Sequence, residues 1–170
     1  MSETPEIRVE LRSNPLYLSG MRGMVAAVAR RLGFSDGGCG QLALAVDEAL
    51  CNVIKHGYSK ASDRPIWISL APVGGITTPE QMTRLGNPVQ GLKIVIEDEG
   101  KQVAPSQIKG RKLEEIRPGG LGVHIIHEVM DSVQYEKRSP AGMRLTMVKN
   151  RVAEDGLATE ANGGKEQGRA

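Results

Sequence analysis

Two cysteines in 170 residues are too few for a disulfide-stapled fold, and Cys39 and Cys51 lack the spacing of a metal-binding pair. Aromatic residues are equally scarce: one Trp, one Phe and three Tyr offer no stacking platform for single-stranded nucleic acid. Neither charge sign dominates. With 22 basic and 20 acidic residues the formal net charge is +2, so direct binding of nucleic acid or of an anionic membrane is not expected. No apolar run approaches the length of a bilayer span. The opening MSETPEIRVELR has neither the basic nor the apolar region of a secretion signal, which predicts a cytoplasmic protein in a reducing compartment. What remains, 39% hydrophobic and 25% charged over a length that one domain fills, is the composition of a globular chain with one core.

Hydrophobic spacing divides that chain into elements. Ile7, Val9 and Leu11 alternate with polar neighbours, the mark of a half-buried strand. After Asn14-Pro15, the residues Leu18, Met21, Met24, Val25, Val28 and Leu32 recur at three- and four-residue intervals and predict a helix stopped by Gly33. Ser35 or Asp36 can cap a second helix that runs through LALAVDEALCNVIKH to Gly57. Strands are predicted at Ile66–Leu70 and Leu92–Ile96, joined by a long Gly/Pro-rich connection over 72–91 with a short helical turn near Glu80. A helix opens at Gly119-Gly120-Leu121-Gly122, and a hairpin about Ser139–Gly142 closes the domain at residue 150. Residues 151–170 are small, charged and aperiodic, and read as a disordered tail. Helices grouped between strands predict an α+β fold: a two-layer α/β sandwich whose mixed, mostly antiparallel sheet is covered by helices on one face.

Three motifs carry candidate chemistry. In DEALCNVIKHGY, Glu48 and Asn52 are one helical turn apart on the same face, a carboxylate able to take a proton beside an amide oxygen able to ligate a hard cation. Alone, such a pair is most often a solvated polar stripe. The segment IVIEDEG ends a strand in Asp98 and Gly100, where a carboxylate can accept from a ligand amino group that comes close to the backbone. Acidic surface turns look the same. In PGGLGVHII, glycines at a helix start let N–H groups converge on an anion, with Lys109, Arg111, Lys112 and Arg117 just upstream. No Gly-Lys-Ser/Thr follows, so this is not a Walker A loop, and the βαβ setting of a dinucleotide fingerprint is missing.

In this order the three motifs resemble the N, G1 and G2 boxes of the GHKL (Bergerat-fold) ATPases. More narrowly, they resemble the bacterial anti-sigma factor and serine-protein kinase family, over about Glu6 to Asn150. The resemblance implies ATP and Mg²⁺ as cofactors, with Asn52 holding Mg²⁺ and Glu48 acting as general base. It implies that Asp98 binds the adenine amino group and that Gly100 lets the base approach. Gly120, Leu121 and Gly122 would line the phosphate side, residues 104–117 would form the lid, and Lys55 and His56 would reach phosphate. A helix-end cation satisfying terminal carbonyls accounts for Lys55 and His56 equally well.

The implied activity is transfer of the ATP γ-phosphoryl group to a serine or threonine of an anti-sigma-factor antagonist. The further implied partners are a sigma factor or a regulatory phosphatase, and a second copy of the chain in a homodimer. Two positions depart from the family pattern: Gln102 stands where the G1 box has its second glycine, and Met143 follows Gly142 where many members have Thr. The alternative reading is a non-catalytic ATP-binding module that sequesters a sigma factor or controls a phosphatase. The catalytic half of a sensor histidine kinase is excluded, because the forty residues before Glu48 contain no histidine to accept phosphate. His124 and His127 find no third ligand at metal spacing and read as surface or partner-facing groups, and Cys51 as a buried small hydrophobe.

Overall fold

The computed structural model describes residues 5–74, 89–108 and 121–152. The turn expected near Glu80, the four upstream cations, Gly120 and all but the first two residues of the expected tail lie outside them. Strand β1 (Ile7–Arg12) leads through a single 3-10 turn at Pro15–Tyr17 into α1 (Leu18–Arg31). Helix α2 (Asp36–Asn52) then continues as a wider π turn at Val53–Gly57. Strands β2 (Pro65–Val73) and β3 (Gly91–Asp98) follow, then helix α3 (Leu121–Val129) and the hairpin β4 (Ser132–Lys137) and β5 (Met143–Asn150). The sheet order is β1-β2-β3-β5-β4, and all four pairings are antiparallel, so the mixed sheet expected from the sequence is a purely antiparallel one.

Pairing sets Val9 opposite Ile68, Ile68 opposite Ile96 and Ile96 opposite Leu145, so one row of apolar side chains crosses the inner face. Onto it pack Met21, Val25 and Ala29 of α1, and Leu42, Val46, Ala49 and Leu50 of α2, all buried. Ser35 caps α2 by accepting from the Gly38 N–H at 3.2 Å, as its position predicts. The last turn of α3 is held by Lys149, whose ammonium donates to the Val129 carbonyl at 2.7 Å. Leu44 of α2, although apolar, is 42% exposed. It lies four residues before Glu48 and eight before Asn52, on the stripe that faces away from the sheet.

The outer face carries the alternate residues. At its centre Glu97, though 6% exposed, pairs with Arg8 at 3.5 Å, Arg138 at 3.3 Å and Arg144 at 2.8 Å. Arg151, expected in the tail, is tied to the strands: its backbone N–H donates to Gln90 O at 2.7 Å and its Nε to Val89 O at 3.0 Å. Among the described residues no helix is long and apolar enough to cross a membrane.

Candidate nucleotide site

A cavity of about 310 Å³ opens between the end of α2, β3, the start of α3 and the final hairpin. Its walls are largely apolar, with Ile96, Val103, Ile108, Val123, Met143 and Leu145 among them. One carboxylate faces this space. Asp98, 4% exposed, directs Oδ1 to the N–H groups of Gly100 at 2.7 Å and Met143 at 3.3 Å. Its Oδ2 accepts nothing among the described residues. Burial pushes the Asp98 carboxyl above the ordinary aspartate range, against the pull of those two N–H groups and of the Arg138 charge. A free carboxylate oxygen among apolar walls suits a flat, largely apolar ligand with an amino group at its edge.

Sequence alternation explains the placement. Glu97 and Asp98 are adjacent in β3, so one points to the outer face and the other inward, just where the strand ends. The loop beyond is locked to α2. Lys101 N–H donates to the Gly57 carbonyl at 3.0 Å, and a β-carbon on Gly100 would lie 2.6 Å from that same oxygen. Gly57 is the last residue of the π turn Val53–Gly57, so its carbonyl has no partner within the helix and is open to the loop.

Asn52 lies at the α2 end of the cavity, where its Nδ2 is buried without a hydrogen-bond partner. A β-carbon on Gly122 would sit 2.5 Å from Glu48 Oε2 and 3.4 and 3.5 Å from Asn52 Nδ2 and Oδ1. The first and third motifs, some seventy residues apart, therefore meet at Gly122, where any side chain would push the Glu48 carboxylate aside. The orphaned Nδ2 is a donor that calls for an acceptor such as a phosphate oxygen, and the Oδ1 beside it is a hard oxygen of the kind Mg²⁺ takes when phosphate and water complete its shell. No group of three or more His, Cys, Asp and Glu capable of caging a metal occurs among the described residues.

The other expected positions divide. His56 lines the cavity, whereas Lys55 is exposed and outside its lining. Leu121, the first residue of α3, is half exposed and also outside the lining. Of the expected lid, a 3-10 turn at Pro105–Gln107 is described, and Gln107 and Ile108 border the cavity. Cys51 is half-buried rather than buried, its thiol pushed up by burial and then by the Asp47 charge.

Four residues without a sequence-based role complete the site. The Tyr58 phenol donates to Pro65 O at 2.5 Å and accepts from Glu99 N–H at 2.7 Å, bracing the loop after β3, and burial raises its pKa. Gln102 donates through Nε2 to the Arg138 carbonyl. Arg138 NH1 donates to the Asp98 carbonyl at 2.6 Å. Tyr135 lines the cavity, and burial pushes its phenol up to about 12. Tyr58 lies inside the first motif and was legible as a candidate; Gln102 was marked only as a departure from the G1 pattern, and Arg138 and Tyr135 carry no local signal.

Residues 11–149 match the family described as the histidine kinase-like ATPase domain. A Listeria monocytogenes protein named "Serine-protein kinase RsbW" is 29% identical over 129 residues, which cover 76% of this chain and 78% of that protein. Its namesake from Bacillus licheniformis is 26% identical over 165 residues, covering 91% and 93%. The crystal structure of the RsbU and RsbW domains of Rv1364c from Mycobacterium tuberculosis shares the fold with a TM-score of 0.54. At 13% sequence identity, that match covers 89% of this chain and 35% of the other.

Proposed function

The chain belongs to the histidine kinase-like ATPase domain family, and from that premise we propose that it is an ATP-dependent protein serine/threonine kinase acting as an anti-sigma regulatory factor. Its substrate in this reading is an anti-sigma-factor antagonist protein, and the same surface system engages a sigma factor or a regulatory phosphatase as a homodimer in the cytoplasm. Relatives named as serine-protein kinases match over most of their length, which supports the kinase reading. The observation that carries it is the convergence of Glu48 and Asn52 on Gly122, beside a cavity that Asn52 and Asp98 both line.

In the reaction, Asp98 Oδ2 accepts from the adenine amino group and the apolar walls hold the ring. Asn52 Oδ1 would hold Mg²⁺, which would supply neutralisation of phosphate charge. Glu48 takes the proton of the attacking serine or threonine hydroxyl as its oxygen bonds to the γ-phosphorus and the bond to the ADP oxygen breaks. Phosphoprotein and ADP leave. Little covalent work falls to the protein, so positioning of donor and acceptor carries most of the rate.

The non-catalytic alternative has Gln102 in its favour, since the G1 loop lacks its second glycine. Yet the Gln102 side chain turns to the hairpin, and the cavity keeps its volume. Transfer of labelled γ-phosphate to the antagonist separates the readings. Transfer by the native protein, lost in Glu48→Gln with ATP binding retained, supports the kinase. Binding of both ATP and antagonist without transfer leaves the interaction module.

A further inference from the structure

The base-recognising carboxylate is held from behind as well as from the cavity. Arg138 directly follows the hairpin's first strand, and its side chain is 23% exposed. Its NH1 donates to the Asp98 carbonyl at 2.6 Å, its Nε lies 3.3 Å from Glu97 Oε1, and its guanidinium carbon stands 5.2 Å from the centre of the Trp67 ring. Its backbone is tied on both sides: the N–H donates to Gly142 O at 2.9 Å, and the carbonyl accepts from Gln102 Nε2. One guanidinium therefore joins the outer-face network to the peptide of the residue that faces the nucleotide.

The hairpin closes on that peptide. Gly142 has φ +85°, and a β-carbon there would fall 1.8 Å from the Asp98 carbonyl oxygen. The next residue, Met143, supplies one of the two N–H groups on Asp98 Oδ1. Holding the Asp98 carbonyl thus also sets the donor that orients its carboxylate. We propose that Arg138 is the positioning residue for Asp98 in base recognition, fixing the carboxylate's orientation through its main chain. The inference rests on the reading of Asp98 as the adenine contact.

Other charged or titratable groups surround Asp98. Glu97 and Glu99 flank it in sequence, Glu97 being engaged by Arg8, Arg138 and Arg144. Lys101 and His56 line the cavity, and the Tyr58 and Tyr135 phenols border the site from α2's end and from β4. Burial raises the Asp98 pKa, the Gly100 and Met143 N–H groups pull it back, and the Arg138 charge adds a smaller pull in the same direction. Removing it lets Asp98 take a proton at higher pH, and a protonated carboxyl no longer offers two acceptors.

The test is calorimetric titration with ATP from mildly acid to neutral pH for the native protein, Arg138→Gln, Arg138→Lys and Asp98→Asn. Affinities are taken as ratios to the native protein at each pH, so the nucleotide's own titration cancels. Arg138→Gln is expected to bind about tenfold more weakly at neutral pH, the worth of one charge-assisted hydrogen bond, and to lose further affinity at a higher pH than the native protein. Arg138→Lys, keeping the charge without the fork, is expected to restore the acid limb but not the full affinity.

Native affinity in Arg138→Gln, or a loss equal at every pH and equal in both Arg138 variants, overturns the inference. Should Arg138→Gln fail to fold, Arg138→Lys decides it: reduced affinity with an unmoved acid limb supports the inference, and native affinity overturns it. Native binding by Asp98→Asn overturns the adenine contact itself, and the role of Arg138 with it. Weak binding by Asp98→Asn beside native behaviour of Arg138→Gln removes Arg138 alone.

Discussion

Replacing Asp98 with asparagine sets the site's needs against the fold's. The amide oxygen of Asn keeps both N–H bonds, from Gly100 at 2.7 Å and Met143 at 3.3 Å, so no backbone donor is orphaned. The group turned to the cavity changes from an acceptor to a donor, which in the proposed site would face the adenine amino group donor to donor. Loss of one charge-assisted bond costs about 1.5–3 kcal/mol, which weakens ATP binding by about one to two orders of magnitude.

Stability of the empty protein moves the other way. Burial raises the Asp98 pKa above its unfolded value, so the native state holds that proton more tightly than the unfolded chain does. The carboxyl therefore favours folding below the ordinary aspartate range and loses that contribution as pH rises through its folded value. At neutral pH the buried charge is a burden that asparagine removes. Each 1 kcal/mol so recovered raises Tm by about 2–4 °C. Thermal unfolding without nucleotide should show Asp98→Asn melting above the native protein at neutral pH, with the gap closing on acidification. A variant that melts lower at neutral pH, or whose gap does not depend on pH, refutes the reasoning.

Two further substitutions probe the geometry. Gly122→Ala places a methyl carbon 2.5 Å from Glu48 Oε2 and must displace that carboxylate. With general-base catalysis worth about 10²–10⁴, kcat for phosphotransfer should fall at least about tenfold while the unfolding midpoint holds, and an unchanged kcat would remove Glu48 from the role. Tyr58→Phe leaves the Pro65 carbonyl and the Glu99 N–H without their partner, a cost of about 1–3 kcal/mol visible in urea unfolding. Weaker ATP binding should accompany it, because the braced loop carries Gly100, and an unmoved midpoint would show that the phenol is not a brace.

What could be read from the sequence was whatever repeats within a few residues. Ile7, Val9 and Leu11 announce their strand, and Leu18, Met21 and Val25 their helix, because burial on one face imposes a period. The three motifs were legible because each packs its chemistry into a short span. The π turn was not, since Val53 and Ile54 satisfy a helical period whether or not the backbone widens after Asn52. Leu44 shows the converse: an apolar residue near others can still fall on the polar stripe. Arg138 and Gln102 were hidden for a topological reason. Their partners are the Asp98 carbonyl and the Arg138 carbonyl, groups every residue has, and only the register of β3 against the hairpin decides which carbonyl comes within reach.

The cavity draws its walls from α2, β3, the loop after it, α3, β4 and β5, none of which is near all the others along the chain. No fragment of the protein can offer that enclosure, so a molecule held there engages the finished fold and ignores the unfolded chain. Occupancy and folding become one linked equilibrium. A nucleotide present at a hundred times its dissociation constant adds about 2.7 kcal/mol to the folded state, a sizeable share of what a domain of this size commands. The cell's nucleotide supply would then govern how long this regulator survives its proteases as well as how often it acts.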